Sequence, residues 1–303
     1  MKRGAIALLI TLFFVIAITV SIGVGLKLVN KASSEVQSEN FILQTSVIVD
    51  DILTILKKSE ELDSIVANKS SSELFAFLSQ ARSMPINRDD IRVSLELKSA
   101  RGRINPNILM SSPIKVNSQT VNALKQYLSK YNVNGSYVDT MLDMMGGVKE
   151  DLSYNSEIFY DKSDLFRDYI VSRQHLSEVD DFYKKTYHDD SLKNINFENL
   201  FYFSSDKNSS IDLNYASGDV WELMLGCTKQ RAQTIALGAG TWSSVEDISL
   251  KDDEKGILSK FNTSFFEPYI EVVLRIVQKN SNAKVRFEYD MRTKQGRNFS
   301  YDI

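Results

Sequence analysis

The chain has 303 residues, 43 % of them hydrophobic and 25 % charged, with a net charge of −3 at neutral pH. Such a composition belongs to a globular protein with room for one large or two ordinary domains, and the charge gives no overall attraction to nucleic acid or anionic lipid. One cysteine, Cys227, excludes an internal disulfide, and two histidines, His175 and His188, leave little for histidine-rich metal sites or histidine-based catalysis.

The amino-terminal stretch sets the frame. Lys2 and Arg3 are followed by no charge until Lys27, and Gly4 to Leu26 is apolar apart from Thr11, Thr19, Ser21 and glycines. A helix through it spans roughly 35 Å, enough to cross a hydrocarbon core of about 30 Å. Lys2 and Arg3 put the amino terminus on the cytoplasmic side and the body outside. A secretory signal cleaved after the core is the rival, but Gly25-Leu26-Lys27-Leu28-Val29-Asn30 is a poor small-residue site.

Residues 33–67 continue as a helix, with Phe41, Ile48, Ile52, Ile55, Leu62 and Val66 at three- and four-residue steps and Val49, Leu53 and Leu56 widening the stripe. No proline or glycine intervenes between Lys27 and Met84. The alternative is a membrane anchor followed by a separate helical domain. A second helix is predicted from Ser72 to Ala81, stopped by Pro85. Ile91 to Leu97 alternates apolar and polar, the mark of a half-buried strand, and runs into Arg101-Gly102-Arg103-Ile104-Asn105-Pro106-Asn107.

From Val116 to Met145 the helical pattern returns, broken by a loop at Asn132–Gly135 and closed by Gly146-Gly147. Residues 148–200, rich in Asp and Tyr, read as helical or irregular. Ile211-Asp212-Leu213-Asn214 echoes Ile104-Asn105-Pro106-Asn107, and each precedes a helical pair, a weak internal duplication. Ser217 caps a helix with Asp219 in its first turn. Gly226-Cys227-Thr228 then forms a hairpin, and Lys229 to Leu237 a second helix. After Gly238 and Gly240, Ser243 with Glu246 gives a capping-box signature. The order is that of a helix-hairpin-helix unit. The tail is a β-hairpin, 269–277 with 284–292, expected to share a sheet with strand 91–97 while the helical block is inserted between them.

Candidate sites are few. The hairpin Gly226, Cys227, Thr228 could hold a phosphate with its amides and a helix N-terminus, using Lys229 and Arg231. Thr228 nevertheless stands where a DNA-binding copy has its second Gly, which favours structural packing. Asp180-Asp181, Asp189-Asp190 and Asp252-Asp253-Glu254 could offer oxygens to calcium, but none has the spacing of a calcium loop, so solvated surface is expected. His175 and His188 read as exposed helix residues and Cys227 as a small buried residue. No nucleotide-binding loop, nucleophile elbow or zinc signature is present, so no enzyme and no cofactor are expected.

The leader Arg3-Gly4-Ala5-Ile6-Ala7-Leu8-Leu9 resembles that of the type IV pilin superfamily. Its departure from the common pattern, Leu9 where most members carry Glu, is shared by the general secretion pathway protein K family of minor pseudopilins. Gly102-Arg-Ile-Asn-Pro-Asn107 and Ile211-Asp-Leu-Asn-Tyr-Ala-Ser217 look like two further phrases of that family in the right order. Met141-Leu-Asp-Met-Met-Gly146, where relatives are acidic and some carry calcium, and Tyr215, where they have Thr, depart from it. The resemblance implies an α+β fold: a long pilin-like N-terminal helix packed on a small antiparallel sheet, with a large all-α (helix-hairpin-helix, SAM-like) insertion. The expected division is leader 1–4, transmembrane half-helix 5–26, pilin-like domain 27–109 with 266–303, and helical domain 110–265. It further implies cleavage between Gly4 and Ala5 by prepilin peptidase, methylation, and an inner-membrane location with a periplasmic body. Other minor pseudopilins would be partners, and the place would be the tip of the type II secretion pseudopilus, where the chain would help nucleate assembly. A carboxylate in a bilayer is costly unless paired, and Leu9 brings none, so this subunit would have no neighbour ahead of it. A minor pilin of a type IV pilus or competence system and a membrane-tethered DNA-binding protein are the alternatives.

Overall fold

The structure is a computed structural model that describes residues 39–80, 84–88, 91–278 and 281–303. The leader charges Lys2 and Arg3, the processing positions Gly4 and Ala5, Leu9 and the apolar run to Leu26 lie outside the described residues. Among the described residues no helix is long and apolar enough to cross a membrane.

Helix α1 (residues 39–57) buries Phe41, Thr45, Val49, Ile52 and Leu56, steps of three and four that put one face on a core. Ile55, which the sequence pattern placed in the same stripe, is 63 % exposed. The expected continuous helix to 67 is broken at Lys58-Ser59. The Ser59 side chain accepts from the Leu62 amide and starts α2 (Glu60–Asn68), with Glu60, Glu61 and Asp63 in its first turn. A good N-cap followed by acids stabilises a new start even where no proline or glycine breaks the chain. Helix α3 (Ser71–Gln80) follows and buries Leu74 and Leu78.

Five antiparallel strands form the sheet: β1 (Met84–Arg88), β2 (Ile91–Ser99), β7 (Tyr269–Gln278), β8 (Ser281–Asp290) and β9 (Gln295–Asp302), in the order β1-β2-β7-β8-β9. The expected strands 91–97, 269–277 and 284–292 are therefore neighbours. Two strands were not foreseen. Pro85 lies within β1, tolerated because that strand is at an edge and needs hydrogen bonds on one side only. Strand β9 is mostly exposed, so it lacks an apolar alternation to reveal it, and its edge is interrupted by a register shift with Asn298 at φ 53°. Registers such as Leu95↔Leu274 and Leu274↔Val285 align one apolar face against α1–α3.

All helices from α4 to α11 lie between β2 and β7 in the chain. They are α4 (Ser118–Ser129), α5 (Ser136–Asp143), α6 (Ile158–Asp161), α7 (Arg173–Tyr187), α8 (Phe197–Leu200), α9 (Gly218–Leu225), α10 (Lys229–Leu237) and α11 (Asp252–Leu258). Two short strand pairs, β3 (Met110–Ser112) with β4 (Lys115–Val116) and β5 (Ile211–Asp212) with β6 (Thr263–Ser264), sit among them. This block has its own core around Trp221, Tyr137, Tyr183 and Leu128. Met141, Met144 and Met145 are wholly buried in it. Asp143, the one acid of the Met-rich segment, accepts from the Asn155 and Ser156 amides and side chains. The capping box lies one residue later than expected: Asp247, not Glu246, accepts from the Ser243 and Ser244 amides, and the turn it opens, Val245–Asp247, is 3-10.

Leu274 is fully buried at the centre of the sheet. Leu274→Ala is expected to cost about 2–5 kcal/mol, read as a lower denaturant midpoint of the full chain in detergent.

Candidate functional site

The chain passes between its two cores at one place. Strand β2 ends opposite β7, with Ser99 paired to Ile270 and the Ala100 amide donating to the Tyr269 carbonyl at 3.0 Å, so exit and return lie side by side. The exit segment carries Arg101 and Arg103. Arg101 is buried, makes a two-pronged pair with Glu288 of β8, and its guanidinium lies 3.9 Å from the Tyr269 ring centre and 4.7 Å from that of Tyr202. Arg103 reaches Glu271 of β7 at 2.6 Å, and Arg286 approaches the same carboxylate at 3.4 Å. Burial pushes Glu271 up, but the charges of Arg103 and Arg286 outweigh it and hold the carboxyl below its usual range. Between the two arginines, a Cβ on Gly102 would overlap the Tyr215 carbonyl, so only glycine lets the exit segment lie against the second echoed phrase.

The two echoed phrases have the same local structure. In each, the second residue caps a short 3-10 turn by accepting the amide two residues on: Asn105 from Asn107 and Asp212 from Asn214. In each, the fourth residue is a buried Asn that grips one distant residue by both its amide and its carbonyl. Asn107 accepts from the Ile170 amide at 2.7 Å and donates to the Ile170 and Ser204 carbonyls at 2.9 Å. Asn214 accepts from the Trp242 amide at 2.8 Å and the Gly240 amide at 3.2 Å, and donates to the Trp242 and Phe265 carbonyls at 2.8 Å. The first residues pair in parallel with later segments, Ile104 with Phe201 and Ile211 with Thr263. The echo thus corresponds to two copies of one anchoring device. Its signal was the spaced Asn and Ile; the residues it grips lie too far along the chain to be guessed.

The hairpin has the expected bounds. Gly226 ends α9 at φ 65° and the Thr228 side chain caps α10. Lys130, following α4, donates to the Gly226 carbonyl at 3.1 Å and the Cys227 carbonyl at 2.6 Å, and lies 3.3 Å from the buried Glu222. The Tyr131 hydroxyl donates to the other Glu222 oxygen at 3.0 Å. A cation here meets the negative end of α9, which ties the hairpin to α4. Of the two basic residues considered for phosphate, Arg231 binds Glu254 twice and the Ser249 carbonyl, and Lys229 lies 5.9 Å from the Tyr131 ring centre. Hydrogen bonds from Arg231, opposed by burial, lower the Glu254 carboxyl to about 2.

The remaining candidates are dispersed. Asp180 accepts from the Tyr137 hydroxyl and Arg173, Asp189 from the Tyr183 hydroxyl and the Ser191 amide, and Asp190 pairs with Lys184. Asp181, Asp252 and Asp253 are exposed. Among the described residues no three His, Cys, Asp or Glu side chains converge as metal ligands would. His188 is exposed at the end of α7, but His175, expected to be exposed, is half-buried: its Nδ1 accepts from the Val171 amide and burial lowers its pKa. Cys227, expected to be buried, is only half so, and burial raises its thiol pKa. A groove of about 500 Å³ runs beside the joint, between Glu271, Lys284 and Arg286 on the sheet and Ser172 and Arg173 at the start of α7.

Asn214→Ala strands two amides and two carbonyls and is expected to cost roughly 2–4 kcal/mol, read by chemical denaturation. Asn214→Asp keeps the acceptor but turns a carboxyl oxygen toward the Trp242 and Phe265 carbonyls, so it should restore none of the loss. Because the folded pKa of Glu271 lies below its ordinary value, its stabilisation is present above the ordinary carboxylate range and fades as pH falls through the folded value. Glu271→Gln should therefore remove part of the acid sensitivity seen in denaturation midpoints between about pH 5 and pH 2.

No family model and no curated protein matches the chain. Among solved structures it is similar to a chain of the GspK-GspI-GspJ complex from the enterotoxigenic Escherichia coli type 2 secretion system. The identity is 14 %, the TM-score 0.48, and the match covers 79 % of this chain and 94 % of that one.

Proposed function

We propose that this chain is a minor pseudopilin of the protein K type that works in type II secretion. The observation that carries this reading is that α1 shares one apolar core with β2, β7 and β8, with a helical block issuing between the adjacent strands β2 and β7, behind an Arg3-Gly4-Ala5 leader. On this reading residues 27–109 with 266–303 are the pilin-like domain and 110–265 an inserted helical domain. The chain is held in the bacterial inner membrane by 5–26, with its amino terminus cytoplasmic and its body periplasmic. Prepilin peptidase cuts between Gly4 and Ala5.

Its work is mechanical. The apolar first helix assembles with those of other minor pseudopilins, and Leu9 leaves it without a carboxylate for a subunit ahead. The bulky head then suits the tip, where it helps nucleate the pseudopilus. The hairpin serves packing rather than nucleic acid, a role supported by Lys130 on its carbonyls and Glu254 on Arg231. No cofactor is assigned.

Amino-terminal sequencing of the protein extracted from membranes tests the reading. The sequence should begin at Ala5; an intact Met1, or a start beyond Leu26, rejects it.

A further inference from the structure

The first turn of α7 is closed by two reciprocal bonds. The Ser172 side chain caps the helix by accepting from the His175 amide at 3.1 Å, and the His175 ring reaches back so that its Nδ1 accepts from the Val171 amide at 3.2 Å. This is a capping box shifted by one residue, with histidine where glutamate or glutamine usually stands. Val171, the residue so held, ends the segment 163–171. Asn107 grips the preceding Ile170 by its amide at 2.7 Å and its carbonyl at 2.9 Å. Val171, Ser172, Arg173 and Gln174 together form one wall of the groove beside the joint.

An Nδ1 that accepts places the proton of the neutral ring on Nε2, which is buried without a hydrogen-bond partner among the described residues. A second proton finds no acceptor. On Nδ1 it would point at the Val171 N–H, so that two donors face each other. It would also set a positive charge on the first turn of a 15-residue helix, whose N-terminal end is itself positive. Both effects act in the same direction, and both follow from which atom accepts. The groups facing the ring are the Phe166 backbone, from the held segment, and the Glu178 carboxylate, one turn along α7 and paired with Lys162. They favour the charged ring, but burial outweighs them and leaves the pKa below the ordinary histidine value. Arg173, on the same turn, is directed to Asp180.

We propose that His175 is a pH-sensitive latch: neutral, it holds segment 163–171 against the start of α7, and protonated, it releases that wall of the groove. Since the folded value lies below the ordinary one, the stabilisation is fully present above about pH 6.5 and is lost as pH falls through the folded value. The latch is independent of the secretion role and holds whatever the chain assembles with.

The chain has two histidines, so nitrogen-15 NMR of histidine-labelled full chain in detergent gives two sets of ring signals, assigned with His188→Gln. His175 should show the Nε2–H tautomer and titrate below the ordinary value of about 6.5. Hydrogen exchange, with its intrinsic pH dependence divided out, should show protection of segment 163–175 falling by up to about tenfold per pH unit below about pH 6.5 and levelling off at the pKa found by NMR. Segments inside α4 and α9 should not follow. His175→Gln keeps an acceptor that does not titrate, so it should hold the segment with a flat profile, and His188→Gln should leave the wild-type profile unchanged. An Nδ1–H tautomer, a His175 titration at or above the ordinary value, a flat wild-type profile or an unchanged slope in His175→Gln overturns the proposal; the NMR arms stand even if His175→Gln does not fold.

Discussion

Two buried acids on the outer side of the sheet, Glu271 and Glu288, depend on arginines that only the exit segment and a neighbouring strand can deliver. Removing a carboxylate from water costs several kcal/mol, and its attraction to a cation offsets this only when the geometry is good and the remaining lone pairs are filled. Arg101 meets that condition with a forked contact to Glu288 and aromatic rings of Tyr202 and Tyr269 beside its guanidinium. The pairing needs the helical block in one orientation, since Tyr202 belongs to the block and Tyr269 to the sheet. Loss of that orientation would leave charges buried without partners. The ion pairs therefore act as a specificity device for the joint more than as a source of stability.

The anchoring phrases solve a related problem. A segment that leaves a sheet and enters a bundle carries backbone amides and carbonyls with no ladder to join, and buried ones must still be paired. Asn is the one short side chain that can mimic a peptide group, accepting and donating in the same plane. Asn107 and Asn214 use this capacity on Ile170 and Trp242, and each also holds a second carbonyl, of Ser204 or Phe265. The helical block is thereby fastened at each phrase to a residue further along the chain. Phe75 of α3 packs so closely on Gly240 that a Cβ there would clash, so the second fastening also holds the block against α3.

The placement of the helical block against the sheet rests on a few side chains around one crossing: Arg101, Arg103, Asp212, Asn214 and Tyr215. The hairpin around Gly226 contributes inside the block, where Lys130 binds its carbonyls and Glu222 together. The fold thus concentrates its polar chemistry at internal seams.

Local signals were legible wherever one residue's conformation depends on its near neighbours. The alternation from Ile91 to Leu97, the cap at Ser217, the turn at Gly226 and the bounds of Lys229–Leu237 follow from period, capping and backbone freedom, and the structure has them. The echo of Ile104–Asn107 in Ile211–Asn214 was visible as spelling. Less legible were β1 and β9, edge strands without a two-sided apolar pattern, and the break before Glu60, where capping overrode an unbroken stripe. The amino-acid sequence determined on its own the strongly periodic or capped elements, the membrane-length apolar run and the shared grammar of the two phrases, because those depend on contacts a few residues apart. Only the tertiary structure decided that Glu271 and Glu288 meet Arg103 and Arg101, that Asn214 grips Trp242 and that Asp212 accepts from the Glu267 amide. Those partners are brought together by the sheet and the two cores, and no local periodicity encodes which distant groups burial will leave in need of each other.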